Sequence, residues 1–164
     1  MTHRPVRAAA VLCAAVLAVT LTGPPAHAAS GSVTDPKGDF PDIVKLAYAN
    51  RASSVRVTMT YADAAEAQNE SFYLLWGRKR YQVFESRSAG LRELRYYRSG
   101  TAAPKAVSCD GLKVVHQDAR DATKVVIPRS CIPKAADTLK FQGIATAGLS
   151  LVDETRKSPR TRRG

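Results

Sequence analysis

Val55, Val57, Met59 and Tyr61 alternate with Arg56, Thr58 and Thr60, and this period of two constrains the fold more than any other feature of the chain. Successive side chains of a strand point to opposite faces, so such a run buries one face and wets the other, whereas a helix needs apolar residues every three to four positions. The pattern continues on both sides. Ile43 to Ala49 is expected to pair with this run through a turn at Asn50 to Ser54. Ser71 to Trp76, apolar on both faces, reads as a central strand. Tyr81 to Glu85 and Leu91 to Tyr97 follow it across turns at Gly77 to Arg80 and Ser86 to Gly90, and a last strand is expected over Thr138 to Ala147. Ala62 to Glu70 has helix-favouring composition without an apolar stripe and reads as a loop with one helical turn. About eight short strands, with no long helical pattern and no internal repeat, predict an all-β chain. The expected form is a single antiparallel β-sandwich, with a β-barrel from the same strands as the alternative.

Not all of the 164 residues belong to that domain. Arg4 and Arg7 precede an apolar run from Ala8 to Leu21 that is polar only at Thr20; Gly23, Pro24 and Pro25 then end it, and Ala26-His27-Ala28 follows. These are the three parts of a secretory signal peptide, with cleavage expected after Ala28 and a secreted, extracellular product. The run is shorter than the roughly 20 residues a membrane-spanning helix requires, and no later segment approaches that length. Cys13 lies inside the apolar run after Leu12, which does not fit a lipoprotein site. Residues 1–28 are thus assigned to the signal, 29–41 to a polar lead, 42–148 to the sandwich and 149–164 to a basic tail expected to be disordered, since Arg156 to Gly164 has no apolar residues to pack.

Cleavage leaves Cys109 and Cys131, and His116 as the one histidine. Leu112 to Gln117 and Thr123 to Pro128 read as two strands joined through Asp118 to Ala122. Centred on Arg120, the hairpin sets Val114 against Val126, Val115 against Val125 and Cys109 against Cys131, within the separation a disulfide needs. An exported chain with one cysteine pair is a setting for such a bond. A redox pair would place its cysteines close together at a helix start, and a zinc site would need more ligands than His116 can add.

Catalytic patterns are sparse. No nucleophile elbow is present, since Gly148-Leu149-Ser150 lacks the second glycine, and phosphate-binding glycine motifs are absent. His116, two residues before Asp118, reads as an ordinary strand residue. No catalytic residue is assigned and no cofactor is required. The segment Asp35-Pro36-Lys37-Gly38-Asp39 with Asp42 offers three carboxylates around a glycine turn, a candidate Ca²⁺ site outside the cell at Asp35, Asp39 and Asp42, although it lacks the ligand count of an EF-hand loop and carries Lys37 in its middle. Asn69-Glu70-Ser71 matches a glycosylation sequon.

Charge supplies the remaining signal. The net charge is +11, and removing Arg4 and Arg7 with the signal leaves +9 on 136 residues. Gly77 to Arg98 carries seven basic and two acidic side chains, and Arg156 to Gly164 carries five basic ones, Arg156, Lys157, Arg160, Arg162 and Arg163, and no acidic one. Outside a cell the expected partners are anionic polymers or lipid headgroups, reached by salt-sensitive attraction. Tyr81, Tyr96 and Tyr97 within the first stretch would suit base stacking, but export argues against a specific nucleic-acid partner.

With these residues set out, the chain resembles small secreted actinobacterial proteins whose domain is similar to the carbohydrate-binding-module-9 and DOMON-type sandwiches. The resemblance rests on Asp35-Pro36-Lys37-Gly38-Asp39 with Asp42-Ile43, and on Cys109-Asp110-x-Leu112 with Ile127-Pro128-Arg129-Ser130-Cys131-Ile132. It covers most of residues 33–147 and implies an antiparallel sandwich with one bridge, and no assigned activity. For a sugar-binding platform the chain offers Trp76, and for axial haem ligation Met59 and His116. The leading expectation is an exported, non-enzymatic binding or structural module associated with the cell envelope or extracellular polymers. An extracellular hydrolase using a carboxylate pair and an inhibitor of a secreted enzyme are the alternatives. The oligomeric state has no signature in the sequence.

Overall fold

The structure, a computed structural model, describes residues 29–36, 38, 41–64, 67–98, 101, 103–148 and 151–164. The expected signal segment, 1–28, and Asp39 lie outside the described residues.

Two antiparallel sheets face each other. The first contains β1 (Ala29–Thr34), β2 (Ile43–Asn50), β3 (Ser54–Tyr61), β8 (Lys113–Gln117) and β9 (Ala122–Pro128), in the order β1-β2-β3-β9-β8. The second contains β4 (Asn69–Trp76), β5 (Lys79–Ser86), β6 (Leu91–Tyr97), β7 (Lys105–Val107), β10 (Thr138–Ala147) and β11 (Leu151–Glu154), in the order β11-β10-β4-β5-β6-β7; β12 (Thr161–Arg162) also pairs with β10. Both sheets are open, so the chain is a sandwich and not a barrel.

The alternation that opened the sequence reading carries over directly. On β3, Val55, Val57, Met59 and Tyr61 are buried and the residues between them are half-buried. On β2 the phase changes, because an irregularity between Ile43 and Lys45 lets Ile43 share the buried face with Leu46 and Tyr48. These side chains meet Phe72, Leu74, Leu139 and Phe141 of the second sheet in one core, where the Tyr48 and Phe141 rings stack at 4.8 Å. Each fully buried residue of this size contributes about 1.5–3 kcal/mol. Gly143 lets the sheets approach: a Cβ there would collide with the Met59 thioether and lie 3.2 Å from Leu46.

Three expectations are corrected. The first concerns the hairpin of β8 and β9, where Val114 opposes Val125 and Val115 opposes Lys124, one residue away from the expected register. The loop spans the four residues Asp118 to Asp121, a 3-10 turn closed by Asp121 in the left-handed region at φ 45°. Ala122 therefore already belongs to the ladder, opposite Gln117. The slip puts Val114 and Val125 in the core and leaves Val115 exposed. The disulfide forms all the same, with Cys109 and Cys131 at a Cα separation of 5.1 Å. Neither cysteine is in a strand; Gly111, at φ 94°, and the 3-10 turn Arg129–Cys131 bring them together beyond the ladder.

The second correction is the polar lead, whose first six residues form β1, paired with β2 from Ala29↔Asn50 to Thr34↔Lys45. The third is the tail. Residues 151–164 do not hang free but run antiparallel along the edge of β10. β11 pairs with Ile144–Ala147, and β12 with Thr138 and Leu139. Between them Thr155 exchanges bonds with Gly143, its N donating to the Gly143 carbonyl and its Oγ1 accepting from the Gly143 N, each at 3.0 Å. Ser158 does the same with Phe141, at 2.8 Å each way. Small hydroxyl side chains thus close a backbone edge, which requires no apolar periodicity.

Candidate functional site

The basic stretch Gly77–Arg98 is divided by the sheet into residues that are neutralised and residues that are not. β4 and β5 are joined by Gly77-Arg78, with Gly77 at φ 55° in the first central position, where a two-residue hairpin of the II′ type takes glycine. On the far side of β5, Arg87 reaches Glu70 at 3.0 Å and Arg92 reaches Glu85 at 2.9 Å, while on β6 Arg95 bonds Glu93 at 2.7 Å. Arg78, Lys79, Arg80 and Arg98 form no ion pair among the described residues.

These four gather at the Gly77 end. A cleft of about 340 Å³ lies between the hairpin, which supplies Arg78, Lys79 and Arg80, and the exit of β6, which supplies Tyr97, Arg98 and Thr101. A second cleft, of about 630 Å³, opens on the other side of Leu75 and Gly77, which line both. Its cations are Lys140 from β10 and Lys157 and Arg160 from the docked tail. A third, of about 290 Å³, carries Lys105 and Lys134 beside Tyr81, Tyr96 and Cys131. None of the three clefts has an acidic lining residue, and none of these nine basic side chains is ion-paired among the described residues.

The tail's candidate residues therefore separate. Lys157 and Arg160 join this end, Arg156 donates to the Thr34 carbonyl at 3.1 Å, Arg163 pairs with Asp137 at 2.9 Å, and Arg162 is exposed on β12. The tyrosines separate too. Tyr81 and Tyr96 turn inward and stack with Trp76, at 5.5 Å and 6.2 Å, whereas Tyr97 is on the outer face beneath the Arg80 guanidinium at 4.2 Å.

At the opposite end of the inner face lies a polar network that the sequence reading missed. Glu70 is fully buried, and its Oε1 accepts from Tyr61 at 2.7 Å, Thr123 at 2.7 Å and Arg87 at 3.0 Å. Burial, then the Glu70 charge, pushes the Tyr61 hydroxyl well above its ordinary range. His116 Nδ1 lies 3.1 Å from Thr123 Oγ1, and Nε2 lies 3.2 Å from Glu85. Thr123, His116 and Glu85 thus stand in the line of a nucleophile, base and orienting acid. Thr123 is fully buried, however, and its hydroxyl is directed at Glu70. The geometry ties β3, β8 and β9 of one sheet to β4 and β5 of the other and offers no reacting atom to a substrate.

Of the candidate cation ligands, Asp35 and Asp42 lie near Asp153 of β11, a residue the sequence reading did not single out. Burial raises the Asp35 carboxyl above its ordinary value, the charges of Asp153 and Asp42 add to this, and Arg156 opposes it. Asp42 accepts from the Gly38 N at 3.1 Å, and Asp153 from the Ile43 N at 2.6 Å and the Glu154 N at 2.9 Å. These oxygens serve the backbone, and among the described residues no group of three or more His, Cys, Asp or Glu is arranged to hold a metal ion. No helix of the described residues is long and apolar enough to cross a membrane. No protein-family model matches the chain, and no curated protein matches it closely enough to count as a relative.

Proposed function

We propose that this protein is an exported, non-enzymatic β-sandwich module that attaches to anionic polymers of the cell envelope or its surroundings through the Gly77 end. The observation that carries the reading is the meeting there of two clefts that share Leu75 and Gly77 and are lined by basic and no acidic side chains, with no ion pair to neutralise them among the described residues. One exposed charge contributes little, but several on one surface create a field that concentrates a polyanion and displaces its counterions. The signal-like N-terminus and the Cys109–Cys131 bond support an extracytoplasmic setting.

The test is co-sedimentation of the secreted protein with isolated envelope and with soluble anionic polymers over a range of salt concentrations. The logarithm of the affinity should fall linearly with that of salt. The slope should become shallower by about one for each of Arg78, Lys157 and Arg160 changed to Gln. Binding that ignores salt, or is absent at low salt, would sink the reading.

A further inference from the structure

Among the four cations of the first cleft, Arg80 is the one packed on aromatic rings. It lies on the outer face of β5, opposite Leu75 of β4 and Tyr97 of β6. Its guanidinium packs over the Tyr97 ring at 4.2 Å and the Tyr73 ring at 5.3 Å. The Tyr97 ring is fixed in turn: its hydroxyl donates to Gln82 Oε1 at 2.6 Å, and Gln82 Nε2 donates to Ser71 Oγ at 2.8 Å. Gln82 is only 5% exposed, so this tether is part of the sheet and not a surface accident. Ring contact occupies the face of a guanidinium and leaves its N–H edges to find acceptors. Arg80 has no acceptor among the described residues, and it lines the 340 Å³ cleft.

The cleft sets a second requirement. Its cations come from two walls: Arg78, Lys79 and Arg80 from the hairpin, and Arg98 from beyond β6, where the Thr101 hydroxyl donates to the Arg98 carbonyl at 2.8 Å. A carboxylate presents two oxygens in one plane and carries one charge. A phosphate group presents oxygens in several directions, so it can meet the planar fork of a held arginine and a cation on the facing wall at once.

We infer that the Arg80 cleft is a phosphate-recognition site, and that Arg80 makes the module select phosphate-bearing linear polymers over carboxylate polymers of equal charge. Tyr97, Tyr73 and Gln82 are positioning residues for Arg80. The inference rests on the polymer-binding reading above and names its ligand class.

The experiment compares the affinity of the secreted protein for long-chain inorganic polyphosphate and for polyglutamate of matched length, at one ionic strength. The phosphate polymer should bind about tenfold more tightly, the scale of one charge-assisted forked contact. Arg80→Lys keeps the charge but not the fork, and should bring the ratio close to one while polyglutamate binding changes less than about twofold. Tyr97→Leu, which removes the ring, should reduce the ratio in the same way, and rescue by Tyr97→Phe, which keeps the ring, should be partial. Unchanged thermal unfolding of Arg80→Lys excludes a folding defect as the cause. Equal binding of the two polymers by the unaltered protein, or a ratio that Arg80→Lys leaves intact, would overturn the inference while leaving polymer attachment standing. Failure to bind either polymer would overturn the attachment reading itself.

Discussion

Arg80 and Arg87 are seven residues apart, one near the start of β5 and the other just past its end, and they meet opposite surroundings. Arg87 is turned toward the space between the sheets, where Glu70 is fully buried at 3.0 Å and Thr123 Oγ1 accepts a second bond at 2.9 Å. Arg80 points to solvent over two rings, with no carboxylate partner among the described residues. Both count equally in a net charge. The difference arises across the fold, because an acid on the neighbouring strand or facing sheet converts a basic residue into a structural part, and its absence leaves a cation for a partner. Of the seven basic residues from Gly77 to Arg98, Arg87, Arg92 and Arg95 are spent in this way on Glu70, Glu85 and Glu93.

The sharpest way to break this comparison is to remove one cation from each class. Arg87→Met leaves the buried Glu70 carboxylate without its counter-ion and should cost about 3–5 kcal/mol in denaturant unfolding. Arg78→Gln should change stability by less than about 0.5 kcal/mol. Similar losses for both would mean that the basic end is structural too.

Tyr61 offers the next largest effect. Its hydroxyl is held protonated above the ordinary phenol range by burial and by the Glu70 charge. A folded-state value above the unfolded one gives stability that is complete below about pH 10 and is lost as pH rises through the folded value. Alkaline titration of the unfolding free energy should therefore show a loss approaching about 1.4 kcal/mol per pH unit from this group. Tyr61→Phe, although less stable at neutral pH for want of a donor to Glu70, should lack that component of the slope. Parallel slopes would refute it.

The strand of strongest alternation, β3, was legible because one buried face prints a period of two on the sequence. The loop of β8 and β9 was not, because nothing in Asp118-Ala119-Arg120-Asp121 announces that Asp121 takes the left-handed conformation and shortens the turn by one residue. β1 buries only Val33, and the tail is anchored by Thr155, Ser158 and Thr161, so neither carries an apolar pattern to detect. The disulfide was readable from spacing even though the register used to argue for it was one residue off. The basic end was half legible. Composition marked residues 77–98 and 156–163 separately, but their meeting at Leu75 and Gly77 depends on the tail lying along β10, which composition alone could not indicate.

That docking decides how the tail is to be tested. Truncation before Leu151 would expose the β10 edge and unfold the support of the site along with its charges. Lys157→Gln with Arg160→Gln removes two exposed cations of the second cleft and leaves Thr155, Ser158 and Thr161 in place. Stability should hold within about 0.5 kcal/mol, and polyphosphate affinity at low salt should fall roughly three- to tenfold. Equal affinity before and after would confine binding to the Arg80 side of Gly77.

Asp35 tests the comparison with the sign reversed, since it is an acid set beside acids. Its carboxyl is raised by burial and by the charges of Asp153 and Asp42, against which Arg156 gives partial relief. One of its oxygens is buried without a hydrogen-bond partner among the described residues. A raised folded-state value means that the protonated form is the one the fold favours. The favourable contribution is therefore complete below the ordinary carboxylate value near 4 and is lost as pH rises through the folded value. At neutral pH ionised Asp35 costs stability, so Asp35→Asn should raise the Tm, by about 1–2 °C given that solvent still screens this partly buried group. Below about pH 4 the advantage should vanish, because the native side chain is then neutral as well. A lower Tm for Asp35→Asn at pH 7 would show that Arg156 outweighs the two neighbouring carboxylates, and that this cluster belongs with Arg87 and Glu70 among the paired charges.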